Sequence, residues 1–146
     1  MAGLIIVLFG GLILIWQVEQ KKLATEAPDS FYTSIKKLEI ADSLGKREIG
    51  LMNRTELCTQ CAMLFVFETE GSQSFWMKDT LIPLDIVFMD SQGYINTVYE
   101  STTPKQQFPT YNSKKPSLYV LETNAGYAKN IGLTEGIKVD IEKLRR

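Results

Sequence analysis

The chain contains no histidine among its 146 residues. Without an imidazole side chain, the Ser-His and Cys-His mechanisms of catalysis are excluded, and the commonest nitrogen ligand of metal ions is missing. Any catalysis must therefore depend on carboxylates, lysine, cysteine, tyrosine or backbone groups. We predict no metal site and no cofactor, and we favour a protein that binds over one that catalyses.

A surplus of charge is also absent, because 16 basic residues face 17 acidic ones and the net charge is −1. Such a chain has no electrostatic field to attract a polyanion, so we predict no nucleic-acid partner. Internal repeats and low-complexity tracts are absent as well. The hydrophobic fraction of 45% and the charged fraction of 23% are typical of a folded protein.

Cysteine is scarce, and the two that occur form a C-x-x-C pair, Cys58 and Cys61. One pair supplies too few thiolates for a four-coordinate zinc site when no histidine can complete it. A thioredoxin-like redox motif would lie between a strand and a helix, whereas this pair precedes an apolar run typical of a buried strand. We favour a structural or slowly exchanging disulfide in an oxidising compartment, with redox exchange and free thiols as the alternatives.

Only one apolar run is long enough to bear on location. Residues 1–16 carry no charged side chain, and Val18 extends the run to about 18 residues, or about 27 Å of helix, just enough to cross a bilayer. A cleaved signal peptide is the alternative, but the run has no Lys or Arg at its front and Pro28 follows the best cleavage site. We predict a transmembrane anchor over residues 1–18 and a polar tether over residues 19–30.

The remaining residues, 31–146, are enough for one domain with a single core. Alternating and continuous apolar runs predict about six or seven mostly antiparallel strands and two short helices. The fold class is therefore α+β: a β-rich compact domain, barrel-like or a sandwich. The strand signals lie at residues 31–35 and 37–41, as one strand or a bent pair, and at 62–67, 74–78, 84–89, 94–100, 118–123 and 137–141.

Capping residues predict where the two helices begin. Asp42 or Ser43 begins a helix that extends to about residue 52, and Asn124 begins one that ends near Gly132. The candidate buried positions of the first helix are Leu44, Ile49 and Leu51.

Two connections have clear signatures. The four residues from Asp90 to Gly93 suit a type I turn in which the glycine adopts a positive φ. Residues 101–117 contain three prolines and no apolar period, so we predict a long loop there.

Several short motifs follow one another in order along the chain. They are GLMNR at 50–54, MLFVF at 63–67, FWMKDT at 75–80, PLDIVF at 83–88, VLETNAG at 120–126 and GLTEG at 132–136. Together they resemble one widespread prokaryotic family, domain of unknown function 192. The resemblance covers roughly residues 35–141, and it implies a β-rich fold, frequent export behind a signal peptide or anchor, and no settled biochemical activity.

The chain departs from the pattern of this family at a few positions. Asp79 stands where asparagine is usual, Ala62 stands where glycine is usual, and the two cysteines are not a family feature. Because an ionised carboxylate only accepts hydrogen bonds, Asp79 does not supply the donor that an asparagine would.

Two sets of signals predict opposite orientations for the anchor. Lys21 and Lys22 follow the apolar run and weakly favour a cytoplasmic domain. The cysteine pair and the family resemblance favour export, and we give them more weight. We therefore expect a membrane-anchored domain on the extracytoplasmic side.

Polar side chains near the FWMKDT motif form the candidate binding site. In a pocket, Trp76 would supply an aromatic wall, Lys78 and Arg54 would donate hydrogen bonds, and Asp85 would be an acceptor or base. The remaining candidates are Asp79, Thr80 and, from a distant strand, Glu122.

A purely structural interpretation competes with this pocket. Asp79 and Thr80 can form a turn capped by its own side chains, and Asp85 can fix a loop by accepting backbone N–H bonds. Under that interpretation the polar residues stabilise the fold and bind nothing.

These observations predict a membrane-anchored extracytoplasmic binding or accessory domain, without catalysis. It would either associate with a larger membrane or envelope complex or bind a small ligand in a cleft of Trp76, Lys78 and Asp85. The alternative is an enzyme: a hydrolase that uses Asp85 with Lys78, or a thiol-disulfide exchanger that uses the C-x-x-C pair.

Overall fold

The structure of the protein is a computed structural model that describes residues 26–146. The predicted anchor, residues 1–18, lies outside the described residues, as do residues 19–25 of the predicted tether. Among residues 26–146, every helix is too short or too polar to cross a bilayer.

The described residues form a β-rich domain, as predicted. Its strands are β1 (Lys37–Ala41), β2 (Cys61–Gly71), β3 (Ser74–Phe75), β4 (Leu84–Met89), β5 (Ile95–Tyr99), β6 (Tyr111–Asn112) and β7 (Ser117–Asn124). Five of them form a mixed sheet in the order β1-β2-β7-β4-β5, in which β1 and β2 are parallel and the other neighbours are antiparallel. The two short strands β3 and β6 pair separately.

Four short helices accompany the strands in the described part of the chain: α1 (Asp29–Ser34), α2 (Leu44–Ile49), α3 (Tyr127–Ile131) and α4 (Ile141–Leu144). Helices α2 and α3 correspond to the two predicted ones. The prediction of a strand at 31–35 is wrong, because α1 occupies that segment and buries Phe31 completely. Pro28 before this helix and Asp29 in its first turn are helix-start signals that outweigh the apparent alternation.

The predicted closing strand at 137–141 is wrong as well. Lys138 forms only single bridges, to Glu26 and to Tyr94. The Asp140 side chain then accepts a hydrogen bond from the Lys143 N–H at 3.0 Å and begins α4. Because the Ala27 N–H donates to the Lys138 carbonyl at 2.7 Å, the chain already packs on the domain where the predicted tether was expected to continue.

The central sheet buries a hydrophobic cluster on each of its two faces, since successive side chains of a strand point to opposite sides. One face, here called the helix-covered face, packs its cluster against α1, α3 and α4. The other, the loop-covered face, packs against the segments around β3 and β6. Cluster members on the helix-covered face include Leu64, Val87 and Leu121, and those on the loop-covered face include Phe65, Ile86, Phe88, Val120 and Met77.

Burial of the predicted positions on α2 differs from expectation. Ser43 caps this helix as predicted, with its hydroxyl oxygen accepting from the Lys46 N–H. Leu51 is buried, but Leu44 and Ile49 are 67% and 64% exposed, so the prediction that they belong to the core is wrong. Leu51 lies beyond the C-terminal end of the helix, and no residue within the helix is buried.

The predicted β4–β5 turn is confirmed. Gly93 has a φ of +85°, and the Asp90 carboxyl oxygen accepts the N–H groups of Gln92 and Tyr94, both at 2.9 Å. A Cβ atom at position 93 would lie 2.1 Å from the Val139 carbonyl oxygen. Glycine is therefore required here both for its conformation and for the close approach of the C-terminal segment.

Candidate functional site

Asp85 lies on β4 and points to the helix-covered face, where it is completely buried. Its carboxyl group accepts three backbone N–H bonds: from Ser101 at 2.8 Å, from Gly126 at 3.0 Å and from Ala128 at 2.8 Å. Asp85 thus fixes the loop after β5 and the start of α3 together. This is the structural interpretation of Asp85, and it corrects its predicted role as an acceptor or base for a ligand.

Glu122 lies on the neighbouring strand β7 and points to the loop-covered face, between Met63 of β2 and Ile86 of β4. It is 5% exposed. Burial raises the pKa of its carboxyl group to about 8, and the charge of Arg54 opposes that rise only in part. No hydrogen bond contributes to this pKa.

The small exposed fraction of Glu122 includes its carboxyl oxygens. Among residues 26–146, no fully enclosed side-chain oxygen or nitrogen lacks a hydrogen-bond partner. An oxygen of Glu122 without such a partner must therefore retain some contact with solvent. Buried carboxyl groups with a strongly raised pKa are found often in functional sites.

Arg54 pairs with a carboxylate that the sequence did not point to. Its two terminal guanidinium nitrogens donate to the two carboxyl oxygens of Glu39, each at 2.7 Å. This bidentate contact holds the pKa of Glu39 below its usual value. Glu39 of β1, Met63 and Glu122 are successive partners across the sheet, so both carboxylates share the loop-covered face with Arg54 near them.

Cys58 and Cys61 form a disulfide, with their Cα atoms 5.1 Å apart. Cys61 is 8% exposed and belongs to the cluster of the loop-covered face, whereas Cys58 is exposed. The side-chain amide of Asn124 donates to the carbonyls of Leu57 and Cys58, both at 3.0 Å. The prediction that Asn124 caps α3 is therefore wrong: it lies at the end of β7 and holds the C-x-x-C segment over the sheet, while Gly126 caps the helix.

Asp79 and Thr80 form a turn, in agreement with the structural interpretation. Asp79 is exposed and has a φ of +54°, and its carbonyl accepts the Asn53 N–H at 2.7 Å. The buried Thr80 donates its hydroxyl to the Lys78 carbonyl at 3.3 Å. Asparagine and aspartate both tolerate a positive φ, so the aspartate found here and the asparagine usual in the family are both compatible with this turn.

Trp76 and Lys78 line an open groove of about 470 Å³ between α2 and the β3 segment, here called the Trp76 groove. Trp76 is 44% exposed, and the Lys78 Nζ lies 5.3 Å from the centre of its ring. Arg47, a cation that sequence reasoning missed, lies 5.1 Å over the Phe67 ring. The apolar lining residues are Leu44, Met52, Phe67, Phe75 and Trp76.

The predicted residues thus do not form one site. The Trp76 groove contains Trp76 and Lys78, whereas Arg54 and Glu122 lie elsewhere on the loop-covered face and Asp85 lies on the opposite face. The predicted cleft of Trp76, Lys78 and Asp85 is therefore absent. Of the residues that line the groove, Trp76 and Lys78 were predicted as ligand-binding candidates, whereas Leu44 was predicted to be buried.

This geometry defines the class of protein: a β-rich domain with a mixed five-stranded sheet, short helices on one face and an aromatic groove on the other. The profile of the DUF192 family, described as Uncharacterized ACR, matches residues 25–141. The chain belongs to this family, and the resemblance of its motifs is confirmed.

Two solved structures are similar to the chain. One is a candidate transcription regulator from Sinorhizobium meliloti, 38% identical, with a TM-score of 0.65 over 69% of this chain and 78% of that one. The other is a protein of unknown function from Novosphingobium aromaticivorans, 33% identical, with a TM-score of 0.66 over 69% of this chain and 71% of that one. No curated protein sequence matches the chain.

Proposed function

We propose that this protein is a non-catalytic accessory domain that binds an acidic, apolar segment of a partner protein in the Trp76 groove. The domain would be held at the extracytoplasmic face of a membrane by residues 1–18. The observation that carries the proposal is the exposed Trp76 beside the cation of Lys78, next to the partly buried aromatic side chains of the groove.

Charge complementarity supports an acidic occupant. Two cations, Arg47 and Lys78, and one carboxylate, Glu48, line the groove. Within residues 26–146, no carboxylate lies within ion-pair distance of the Lys78 Nζ. Arg47 donates to the Val66 carbonyl at 2.9 Å, and the exposed Glu68 is its one ion-pair partner there, at 4.0 Å. A carboxylate of the partner would pair with Lys78 at the rim, while an apolar side chain would cover Trp76. Aromatic residues and arginine are the side chains that most often anchor protein interfaces.

The shape of the groove supports a peptide segment over a small molecule. Small-molecule sites are concave and bury most of the ligand, whereas this groove is open along one side. A bound segment would gain from the anchor, because confinement to the membrane raises the effective concentration of the domain near a membrane complex. The disulfide and the family resemblance support the extracytoplasmic location.

The structure offers no support for the hydrolase alternative. The carboxyl group of Asp85 lies on the helix-covered face of the sheet, whereas the ammonium group of Lys78 lies at the Trp76 groove on the other side. The Asp85 carboxyl group also already accepts three backbone N–H bonds. A substrate could not contact both groups at once.

Site-specific crosslinking in native membranes tests the proposal. In the full chain, Trp76 is replaced by the photo-crosslinking amino acid p-benzoylphenylalanine. The matched control carries the same replacement at Phe108, which is 79% exposed but lies outside the groove. We expect a discrete crosslinked partner only from position 76, a crosslink site within an acidic and apolar segment, and at least a fivefold loss when Lys78→Glu is added.

Equal crosslinking from both positions, or none from position 76, would overturn the proposal. A second measurement distinguishes a small ligand. In a Trp16→Phe variant, Trp76 is the only tryptophan of the chain. Saturable quenching of its emission by 3-phenylpropionate, without any protein crosslink, would show that the groove binds a small apolar carboxylate and not a peptide segment.

A further inference from the structure

The disulfide and Glu122 lie on the same face of the sheet. Cys61 precedes Met63 by two positions on β2, so their side chains point to the same side, and Met63 is the direct cross-strand partner of Glu122. Cys61 and Glu122 are therefore diagonal neighbours on adjacent strands, for which Cα separations of about 7–8 Å are typical and long side chains are in reach.

The two sulfurs differ in access. Cys58 is exposed, while Cys61 is 8% exposed and packs in the cluster of the loop-covered face. The Asn124 amide fixes the Cys58 carbonyl, so the pair is held in this orientation. An external thiolate therefore attacks the Cys58 sulfur, and the Cys61 sulfur is the leaving group on the buried side.

We propose that Cys58–Cys61 is a redox-active disulfide that accepts two electrons from a dithiol, and that Glu122 donates the proton to the Cys61 sulfur. This activity is independent of the Trp76 groove, which lies between α2 and β3.

The proposed reaction is balanced in two steps. A thiolate of the dithiol attacks the Cys58 sulfur, the disulfide bond breaks, and its electron pair passes to Cys61, which takes the proton of Glu122. The second thiolate of the dithiol then attacks the mixed disulfide and releases Cys58 as a thiolate, which takes a proton from water. The dithiol is oxidised to a disulfide, Cys58 and Cys61 are reduced, and Glu122 recovers its proton from solvent.

Glu122 is suited to this role by its surroundings. Its carboxyl group has no hydrogen-bond partner among the described residues and retains a proton at neutral pH, because burial raises its pKa to about 8. This value is close to the ordinary pKa of a thiol, about 8.5, so a proton passes between the two groups at little cost.

The other charged groups around Glu122 are few. Arg54 and Glu39 pair with each other on the β1 side, and β4 contributes the apolar Ile86. On the C-x-x-C side the acidic residue is Glu56, which is exposed. The pH response of Glu122 is therefore set by its own burial and by the Arg54–Glu39 pair.

Reduction of the full chain by dithiothreitol tests the proposal. The measured rate is divided by the concentration of dithiothreitol thiolate at each pH. In the wild type we expect this normalised rate to fall at least fivefold as the pH rises from 7 to 9, because Glu122 loses its proton. In Glu122→Gln it is expected to be at least tenfold lower at pH 7 and flat with pH. Glu56→Gln, which removes a nearby exposed carboxylate, should retain the wild-type profile.

Single-cysteine variants test the order of attack. Cys61→Ser should form a mixed disulfide with 5,5′-dithiobis(2-nitrobenzoate) at least tenfold faster than Cys58→Ser does. A flat wild-type profile, a Glu122→Gln profile equal to that of the wild type, or equal reactivity of the two cysteines would overturn the proposal. Circular dichroism of each variant establishes that it is folded before its rate is interpreted.

Discussion

Asp85 and Glu122 are buried carboxylates on adjacent strands of one sheet, yet their surroundings are opposite. Asp85 on the helix-covered face accepts three backbone N–H bonds of 2.8–3.0 Å. Glu122 on the loop-covered face has none, and burial raises its pKa to about 8. The two residues are brought side by side by the β4–β7 pairing, in which Asp85 is opposite Thr123 and Glu122 is opposite Ile86.

This difference shows that hydrogen-bond donors, rather than burial, determine what a buried carboxyl group does. Three N–H donors replace the water that Asp85 loses, so its oxygens are committed to holding the fold. Without donors, Glu122 retains its proton and the capacity to release it. The first residue is structural, and the second is available for chemistry.

Removing Asp85 is expected to have the largest effect. Asp85→Ala leaves the N–H groups of Ser101, Gly126 and Ala128 buried without a partner, and each such loss costs about 1–3 kcal/mol. We expect the free energy of unfolding in urea at pH 7 to fall by more than about 4 kcal/mol. Asp85→Asn should cost less, because its amide oxygen still accepts. A loss below about 1 kcal/mol for Asp85→Ala would contradict the structural role.

Removing the charge of Glu122 is expected to have a smaller effect of opposite sign. Its pKa is about 8 in the folded protein and 4.5 for an unperturbed glutamate, so the folded state binds more protons between these values. Stability contributed by the bound proton is therefore full below about pH 4.5 and is lost as the pH rises through about 8. Glu122→Gln does not titrate, so it should be about 2–4 kcal/mol more stable than the wild type at pH 8 and nearly equal at pH 4.5.

Urea unfolding at pH 4.5, 6 and 8 measures this difference. Glu39→Gln provides the contrast, because the Arg54 contact lowers the pKa of Glu39 and the stability it contributes is lost on acidification. A constant difference between Glu122→Gln and the wild type at all three pH values would contradict a raised pKa for Glu122.

The contrast between Asp85 and Glu122 could be predicted only in part. Acceptance of backbone N–H bonds by Asp85 was one of two interpretations, but the donors lie 16, 41 and 43 positions along the chain and the sequence does not identify them. Arg54 was likewise a candidate, while its partner Glu39 was missed because the two residues are 15 positions apart, with α2 between them. Local signals do not encode such long-range contacts.

Features with local causes were predicted well. The β4–β5 hairpin depends on an apolar run and on the turn that ends in Gly93, and both are visible within one stretch of sequence. Predictions failed where packing outweighed pattern: Leu44 on α2 was predicted to be buried, but no residue of this helix is. The family resemblance is confirmed over residues 25–141, because ordered motifs carry long-range information that periodicity lacks.

Asp79 is a third carboxylate, exposed on the FWMKDT turn. Substitutions at this position distinguish the effect of backbone conformation from the effect of charge. Its φ of +54° is costly for most side chains and is tolerated by asparagine, aspartate and glycine. We expect Asp79→Asn and Asp79→Gly to leave the urea midpoint nearly unchanged, and Asp79→Ala to lower the stability by about 1 kcal/mol. If Asp79→Ala were as stable as Asp79→Asn, the backbone would not be the constraint. If Asp79→Asn alone were destabilised, the carboxylate itself would have a role in stability. The presence or absence of hydrogen-bond donors would then not be sufficient to distinguish structural carboxylates of this domain from reactive ones.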